Sequence, residues 1–305
     1  MKNSKLILVL GFIFGVSVAF GQDYAFKVLA NKGNNEVKEG DTWQAIKTGA
    51  SLQSADEVRL SENAYLGLIH KSGKPLEVKK AGPYKVADLA AQVQGGSTSV
   101  LNKYTDFILS SNSAEAKKNR LSATGAVHRG AAGDIELLLP DGEYSSILNT
   151  ETVINWVEDE KKAKDSGPYV VTLLNMFDEV LLSVETPEKT FKIDLTNEKL
   201  TNESAILIEV HSKADPTIKS SDPRPMIRKL PPAEQARLRK EVSEAKGELS
   251  EDTAIGMYYL GQIYEKNKLY LDAIAAYEQA AEMAPDVPDY KESYEDFLKF
   301  RLPRK

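Results

Sequence analysis

The chain has 305 residues, a formal charge of −6 and no cysteine. Its length allows two or three domains, each with its own core. The acidic balance argues against a nucleic-acid partner, which requires clustered Lys and Arg, and the lack of cysteine excludes disulfides, thiolate catalysis, cysteine-based metal sites and lipid attachment at an N-terminal cysteine.

Residues 1–21 have the layout of a secretory signal peptide. Its parts follow in the usual order: Lys2 and Lys5, an apolar run to Phe20, and the small residues Ala19 and Gly21. We predict cleavage between Gly21 and Gln22, which leaves a mature chain of formal charge −8. An uncleaved membrane anchor is the alternative, but an apolar run of about 15 residues is shorter than the roughly 20 that span a bilayer. The mature protein is therefore expected in the periplasm or secreted, and at a membrane only during export.

Residues 22–112 are predicted to form a small β domain with a capping helix. Short runs of alternating apolar residues, such as Val58/Leu60 and Leu66/Leu68, are separated by turns rich in Gly and Asn. The stretch from Ser97 to Ser111 is expected to be a helix over the open end of this domain. Its apolar residues share one helical face: Val100, Leu101, Tyr104, Phe107 and Ile108.

The same part of the chain resembles the FecR-like β domain. The residues that carry the resemblance occur in this order: Trp43, Gly49, Leu52, Asp56, Val58, Arg59, Ala64, Leu66, Ser72-Gly73 and Leu76. In that family a segment G-x-x-L-x-x-x-D-x-V-R precedes a strand and a turn of the D-G-S type. Here the turn is Ser72-Gly73-Lys74, which lacks the acidic residue. The resemblance implies a role in envelope signalling as one alternative function.

Residues 113–133 are polar and poorly periodic, and we interpret them as a linker. Residues 134–215 hold six strand-like runs, with Trp156 on an early strand and Tyr169 at the start of the next, a common core pairing. The pattern resembles an immunoglobulin or fibronectin type III sandwich, in which Val171 and Leu173 would line the strand facing Trp156. A sandwich implies no activity by itself.

Residues 216–232 are rich in proline and predict a semi-rigid spacer. Helical periodicity then covers residues 233–305. Two outer stripes are formed by Leu238, Val242, Ala245 and Leu249 and by Tyr290, Tyr294, Phe297 and Leu298. Between them, residues 254–285 predict a helix, a turn around Lys268 and a second helix that Pro285 ends.

The central helix pair resembles one tetratricopeptide repeat. The consensus offsets of that repeat are occupied by Met257, Leu260, Gly261, Tyr264, Ala273, Tyr277, Ala280 and Pro285, with Met257 in place of the usual Trp. The predicted fold class is thus multidomain: two mainly β domains, FecR-like and immunoglobulin-like, followed by an α-helical domain resembling tetratricopeptide repeats.

This resemblance implies a module for binding protein partners. The first helix of each such repeat lines a concave face, so the positions expected to be free for a partner are Tyr258, Tyr259, Gln262 and Glu265, with the two tyrosines as anchors. The alternative is intramolecular, because a single repeat must cover its own faces. In that case the tyrosines would pack against the helix around Leu238 and Val242.

No catalytic residue, cofactor or metal site is predicted. The three histidines, His70, His128 and His211, lie in separate segments without a metal-ligand spacing. We expect an exported, non-catalytic binding or scaffold protein of the bacterial cell envelope that binds protein partners through its helical domain. A carbohydrate ligand stays open, and a carbohydrate-active or other hydrolase with a site between the β domains is the alternative from another class.

Overall fold

The structure is a computed structural model that describes residues 24–93, 99–113, 116, 134–139, 144–158, 166–220, 222, 224–250 and 252–301. The predicted signal peptide and nearly all of the predicted linker lie outside the described residues. Several antiparallel sheets come first along the chain, and α-helices occupy residues 232–296. This order agrees with the predicted one, β domains and then an α domain.

Eight short strands cover residues 26–85. They are β1 (Phe26–Lys32), β2 (Glu36–Glu39), β3 (Thr42–Ala45), β4 (Ser51–Leu52), β5 (Glu57–Leu60), β6 (Tyr65–His70), β7 (Pro75–Val78) and β8 (Gly82–Lys85). They form two antiparallel sheets with the strand orders β4-β1-β6-β7 and β3-β2-β5-β8. The predicted inward pairs Val58/Leu60 and Leu66/Leu68 are all buried in one core, which confirms the alternation in these strands.

Strand β6 is buried on both faces, although the sequence alternation predicts one. Leu66 and Leu68 lie in the core of the N-terminal sheets, whereas Tyr65 and Ile69 belong to a second core made chiefly of C-terminal helices. Because successive side chains of a strand point to opposite faces, β6 separates these two cores. The helical part of the chain therefore packs directly against the N-terminal sheet.

Two helices follow these strands, α1 (Val86–Gln92) and α2 (Ser99–Ser111). The apolar face predicted for α2 is confirmed: Leu101, Tyr104 and Ile108 are fully buried. The predicted position needs correction, because α2 packs mainly in the helical core rather than as a cap on the β domain. It also meets the N-terminal β domain at the turn after β6, where a Cβ on Gly73 would lie 3.0 Å from the Leu101 carbonyl carbon.

The described residues in the middle of the chain contain eight further strands. They are β9 (Ile135–Leu137), β10 (Tyr144–Ile147), β11 (Glu151–Glu158), β12 (Tyr169–Leu174), β13 (Val180–Thr186), β14 (Thr190–Asp194), β15 (Ala205–Ser212) and β16 (Met226–Lys229). Two sheets result, with the orders β10-β16-β15-β12-β13 and β14-β11-β9. All pairs are antiparallel except β10 with β16. Residues of both sheets share one core, in which the rings of Trp156 and Tyr169 meet edge to face at 5.4 Å, as predicted.

Strand β16 lies in the segment predicted to be a spacer. Its four residues join the five-stranded sheet between β10 and β15, and Ile227 is buried in the shared core. The prolines fall just outside the strand, with Pro225 before it and Pro231 after it. Because proline interrupts a ladder only where it replaces a needed N–H donor, the four residues from Met226 to Lys229 remain able to pair.

Four α-helices complete the fold: α3 (Pro232–Glu248), α4 (Ala254–Lys266), α5 (Tyr270–Met283) and α6 (Pro288–Asp296), continued by a π-helical turn at Phe297–Arg301. Thr253 caps α4 by accepting a hydrogen bond from the Gly256 backbone N–H at 3.2 Å. The predicted turn is present, with Lys268 at φ +58°. The apolar positions predicted for the four helices are buried or packed against the helical core, so helical periodicity identified the inward faces correctly.

Gly261 on α4 is required by the close approach of α5. A Cβ at this position would lie 2.7 Å from ring atoms of Tyr277, whereas a Cβ on Gly247 in α3 would meet nothing within 4 Å. We expect Gly261→Ala to lower the free energy of unfolding by about 1–3 kcal/mol through overpacking. The control Gly247→Ala should be neutral or raise it by up to about 1 kcal/mol, because Ala favours the helix. Equal shifts in urea unfolding of the two variants would contradict this packing.

Candidate functional site

The candidate site is the face of α4 on which the partner-binding residues were predicted. Tyr258, Tyr259 and Gln262 lie along this face, and each is at most 1% exposed. Helix α2 lies over them and joins the same core. In this structure the chain's own helix therefore occupies the surface on which a partner was expected.

Hydrogen bonds fix α2 on this face. The Tyr259 hydroxyl donates to the Leu101 carbonyl at 2.9 Å, and the Tyr258 hydroxyl donates to Asn112 Oδ1 at 2.6 Å. Gln262 connects the two sides, because its Nε2 donates to the Tyr258 hydroxyl at 2.9 Å and its Oε1 accepts from Ser111 Oγ at 2.9 Å. Burial raises the pKa of the Tyr259 hydroxyl above its ordinary value, so this phenol is a neutral donor.

A second set of polar contacts holds the α2 side chain Tyr104. Its hydroxyl donates to Glu241 on α3 and accepts from Asn267 Nδ2 at 2.6 Å. Burial would raise the pKa of Glu241, but the donors Lys103 and Tyr104 outweigh that effect and hold the pKa below its usual value. The carboxylate thus stays charged and bonded between α2 and α3.

Glu265, the fourth predicted residue, differs from the other three. It is half-buried at the end of α4 and accepts a hydrogen bond from the Tyr277 hydroxyl at 2.6 Å. The structure thus brings Tyr258, Tyr259 and Gln262 together beneath α2 and bonds Glu265 to Tyr277 of α5. Whether any of the four binds a partner stays a prediction. The sequence alternative placed the tyrosines against the helix around Leu238 and Val242, and both rings share the helical core with these two residues. Their hydroxyls bond to Asn112 and to Leu101 of α2.

Three carboxylates that the sequence analysis did not single out join the helices to the β sheets. Glu77 of β7 accepts from the Tyr65 hydroxyl at 2.6 Å and from the Ile255 backbone N–H at 3.0 Å, at the start of α4. Asp289 of α6 accepts from the Asn31 N–H and Thr48 Oγ1, both at 3.0 Å.

The third carboxylate, Asp272 of α5, contacts the middle sheets. It accepts from the backbone N–H groups of Leu148 and Asn149 at 2.8 and 3.1 Å. Burial raises the pKa of Asp272 to about 6. No short motif marks these residues, because Asp272 and Asp289 resemble ordinary acidic residues of a first helical turn.

The histidines have ordinary contacts where they are described. His70 Nδ1 lies 2.8 Å from Ser72 Oγ, and burial lowers the pKa of His70. His211 Nδ1 lies 3.0 Å from the carbonyl of Ser212, and His128 lies outside the described residues. Within the described ranges, no three acidic or histidine side chains are grouped as metal ligands. Among the helices that the structure describes, none is long and apolar enough to cross a bilayer.

Comparison with known proteins adds no family assignment. No protein-family model matches the chain, and no curated protein matches it. The site is therefore interpreted from its own geometry.

Proposed function

We propose that the protein is an exported, non-catalytic binding or scaffold protein of the bacterial cell envelope. In this proposal residues 22–112 form a FecR-like β domain, residues 134–215 an immunoglobulin- or fibronectin-like sandwich, and residues 233–305 a tetratricopeptide-like domain. The mature chain begins at Gln22 and resides in the periplasm or outside the cell. Its partners are proteins of the envelope.

The observation that carries the proposal is the use of the carboxylates at the contacts between helices and sheets. Glu77, Asp272 and Asp289 each accept hydrogen bonds from two groups outside their own strand or helix. An acid or base in a catalytic cleft must instead reach a proton of the substrate. These three carboxylates are used to hold the helices on the β sheets, which suits a rigid framework that presents binding surfaces.

Occupation of the α4 face by α2 also affects where a partner can bind. Tyr258, Tyr259 and Gln262 can contact a partner only if α2 leaves. At the end of the same helix Glu265 is half-buried and Lys266 is exposed, with its ammonium 4.9 Å from the centre of the Phe107 ring of α2. We therefore place the first partner contact at this end of α4.

Photo-cross-linking in intact cells tests the proposal. A photoreactive residue at Glu265 or Lys266 should give a discrete adduct with one envelope protein, while the same residue at the exposed Thr196, the matched control, should not. Mass spectrometry of the adduct should find Gln22 as the N-terminal residue. The proposal fails if all three positions give the same pattern, or if the chain begins at Met1 and is extracted only with detergent.

A further inference from the structure

The C-terminal helices share one core with the N-terminal part of the chain. Four residues of the N-terminal sheets and four of α2 belong to the helical core: Leu29, Ala30, Tyr65, Ile69, Val100, Leu101, Tyr104 and Ile108. The apolar surface of the helices is thus removed from water partly by residues that lie far away in the sequence. If the two parts separated, each would expose apolar side chains that only the other covers.

Polar contacts fix the same two parts to each other. The buried hydroxyls of Tyr65 and Tyr290 lie 2.6 Å apart, and Glu77 accepts from the Ile255 backbone N–H at 3.0 Å. These partners are separated by 225 and 178 residues of sequence. The bonds of Asp289 add a third contact, at β1. Separation would leave buried polar groups without a partner, which costs more than the net value of the bonds themselves.

The middle sheets are attached to the helices over a smaller contact. Among the described residues of 134–229, Leu148 alone belongs to the helical core, and among the described residues of the helices, Leu271 alone belongs to the core of the middle sheets. Polar contacts also concentrate at Leu148, whose N–H donates to Asp272 and whose carbonyl accepts from Arg239 Nη2 at 3.2 Å. The middle sheets therefore bury their apolar residues chiefly among themselves.

We infer that the protein has two cooperative folding units, and that the second interrupts the first in the sequence. The outer unit consists of the described residues within 24–113 and 230–301, and the inner unit consists of the middle sheets. Units that open together in a protein are those that share a core, whatever their order along the chain. The three regions that the sequence suggests thus fold as two units, because the helices depend on the N-terminal sheets.

The helices are then not a separable binding module. Residues 230–301 alone would expose the faces that Leu29, Tyr65 and α2 cover, and we expect such a fragment not to fold. A partner that binds the helices would bind a surface that exists only while the N-terminal sheets are folded. This dependence holds whether or not the helices bind a partner, so it stands apart from the proposed function.

Hydrogen exchange of the full chain in sub-denaturing urea tests this division. Val58 and Val210 are both 0% exposed, Val58 in the core of the N-terminal sheets and Val210 in the core of the middle sheets. Val58→Ala and Val210→Ala are therefore a matched pair that removes the same atoms from each unit. We expect Val58→Ala to speed exchange of the slowest amides in β6 and α4 by the same factor, roughly tenfold. Exchange in β12 should not change.

The second variant should give the reverse pattern. Val210→Ala should speed exchange in β12 roughly tenfold and leave β6 and α4 unchanged. The natural chain provides a measurement that needs no variant: exchange in β6 and α4 should share one dependence on urea, and exchange in β12 should follow another. Our inference is wrong if Val58→Ala speeds exchange in β6 but not in α4. It is equally wrong if either variant speeds exchange in all three elements by the same factor.

Discussion

Replacing Tyr258 or Tyr259 with Ala should strongly destabilise the protein. Both rings are buried between α4 and its neighbours. The centre of the Tyr258 ring lies 5.5 Å from the ring centres of both Tyr277 and Tyr290. Truncation of a buried aromatic side chain costs about 3–5 kcal/mol. It would also leave the Leu101 carbonyl or Asn112 Oδ1 without its phenol donor. Each variant should therefore melt several degrees below the natural protein.

The matched controls are Tyr258→Phe and Tyr259→Phe, which keep the ring and remove only the hydroxyl. Loss of one hydrogen bond costs about 0.5–1.5 kcal/mol, and somewhat more where the acceptor stays buried. Amide hydrogen exchange gives an independent measurement, because Tyr259→Ala should speed exchange in α2 (residues 99–111) more than in β12. An unchanged melting temperature in both Ala variants would show instead that the α4 face is open in solution and available to a partner.

The inward faces of the helices and strands could be predicted from sequence because buried apolar residues recur at the spacing of each kind of element. Met257, Leu260 and Tyr264 recur at helical spacing, and a Cβ on Gly261 would collide with Tyr277. The pairing of Trp156 with Tyr169 was likewise predictable from strand order. In each case the relevant neighbour lies in the same local unit, so short-range pattern was sufficient.

The contacts between units could not be predicted in the same way. The apolar face of α2 was correctly identified, but periodicity does not state which surface covers a face. Helix α2 packs chiefly on α3 and α4 and touches the β domain at the turn after β6. For the same reason the second buried face of β6 was missed. The burial of Tyr258 and Gln262 follows from the position of α2. The sequence could therefore identify the residues of the candidate site, but it could not show that α2 covers them.

Asp272 was missed for a related reason, and its replacement is the second change from which we expect a large effect. Its backbone donors belong to Leu148 and Asn149, more than a hundred residues earlier. A first-turn aspartate normally interacts with the N–H groups of its own helix and with solvent. Nothing local distinguishes a solvated aspartate from one that holds a distant loop.

Replacing Asp272 with Ala should destabilise the contact between α5 and the middle sheets. Two backbone N–H groups lose their acceptor. The buried N–H of Leu148 would be left unsatisfied, which costs about 1–3 kcal/mol, whereas Asn149 is exposed and its N–H can bond to water. Asp272→Asn should also destabilise, because its amide offers one oxygen to two donors. Gln279→Ala, at an exposed position of α5, is the control and should leave the free energy of unfolding within about 0.5 kcal/mol.

The loss should depend on pH in a direction opposite to that of most carboxylates. The pKa of Asp272 is raised from 3.8 to about 6 in the folded chain, chiefly by burial and against the opposing effect of the backbone donors and Arg239. The folded state therefore binds the proton more tightly than the unfolded state. The stability due to this shift is fully present below pH 3.8, decreases as the pH rises through about 6, and amounts to about 3 kcal/mol in total.

Urea unfolding of the natural chain and Asp272→Ala at pH 5 and pH 8 measures this effect. The difference in unfolding free energy between the two proteins should be larger at pH 5, because Asp272→Ala lacks the group that takes up the proton. Other titrating groups are common to both proteins and cancel in the difference. A difference that is equal at both pH values, or larger at pH 8, would mean that Asp272 is charged in the folded protein at pH 5. Its two backbone donors would then outweigh the effect of burial on its pKa.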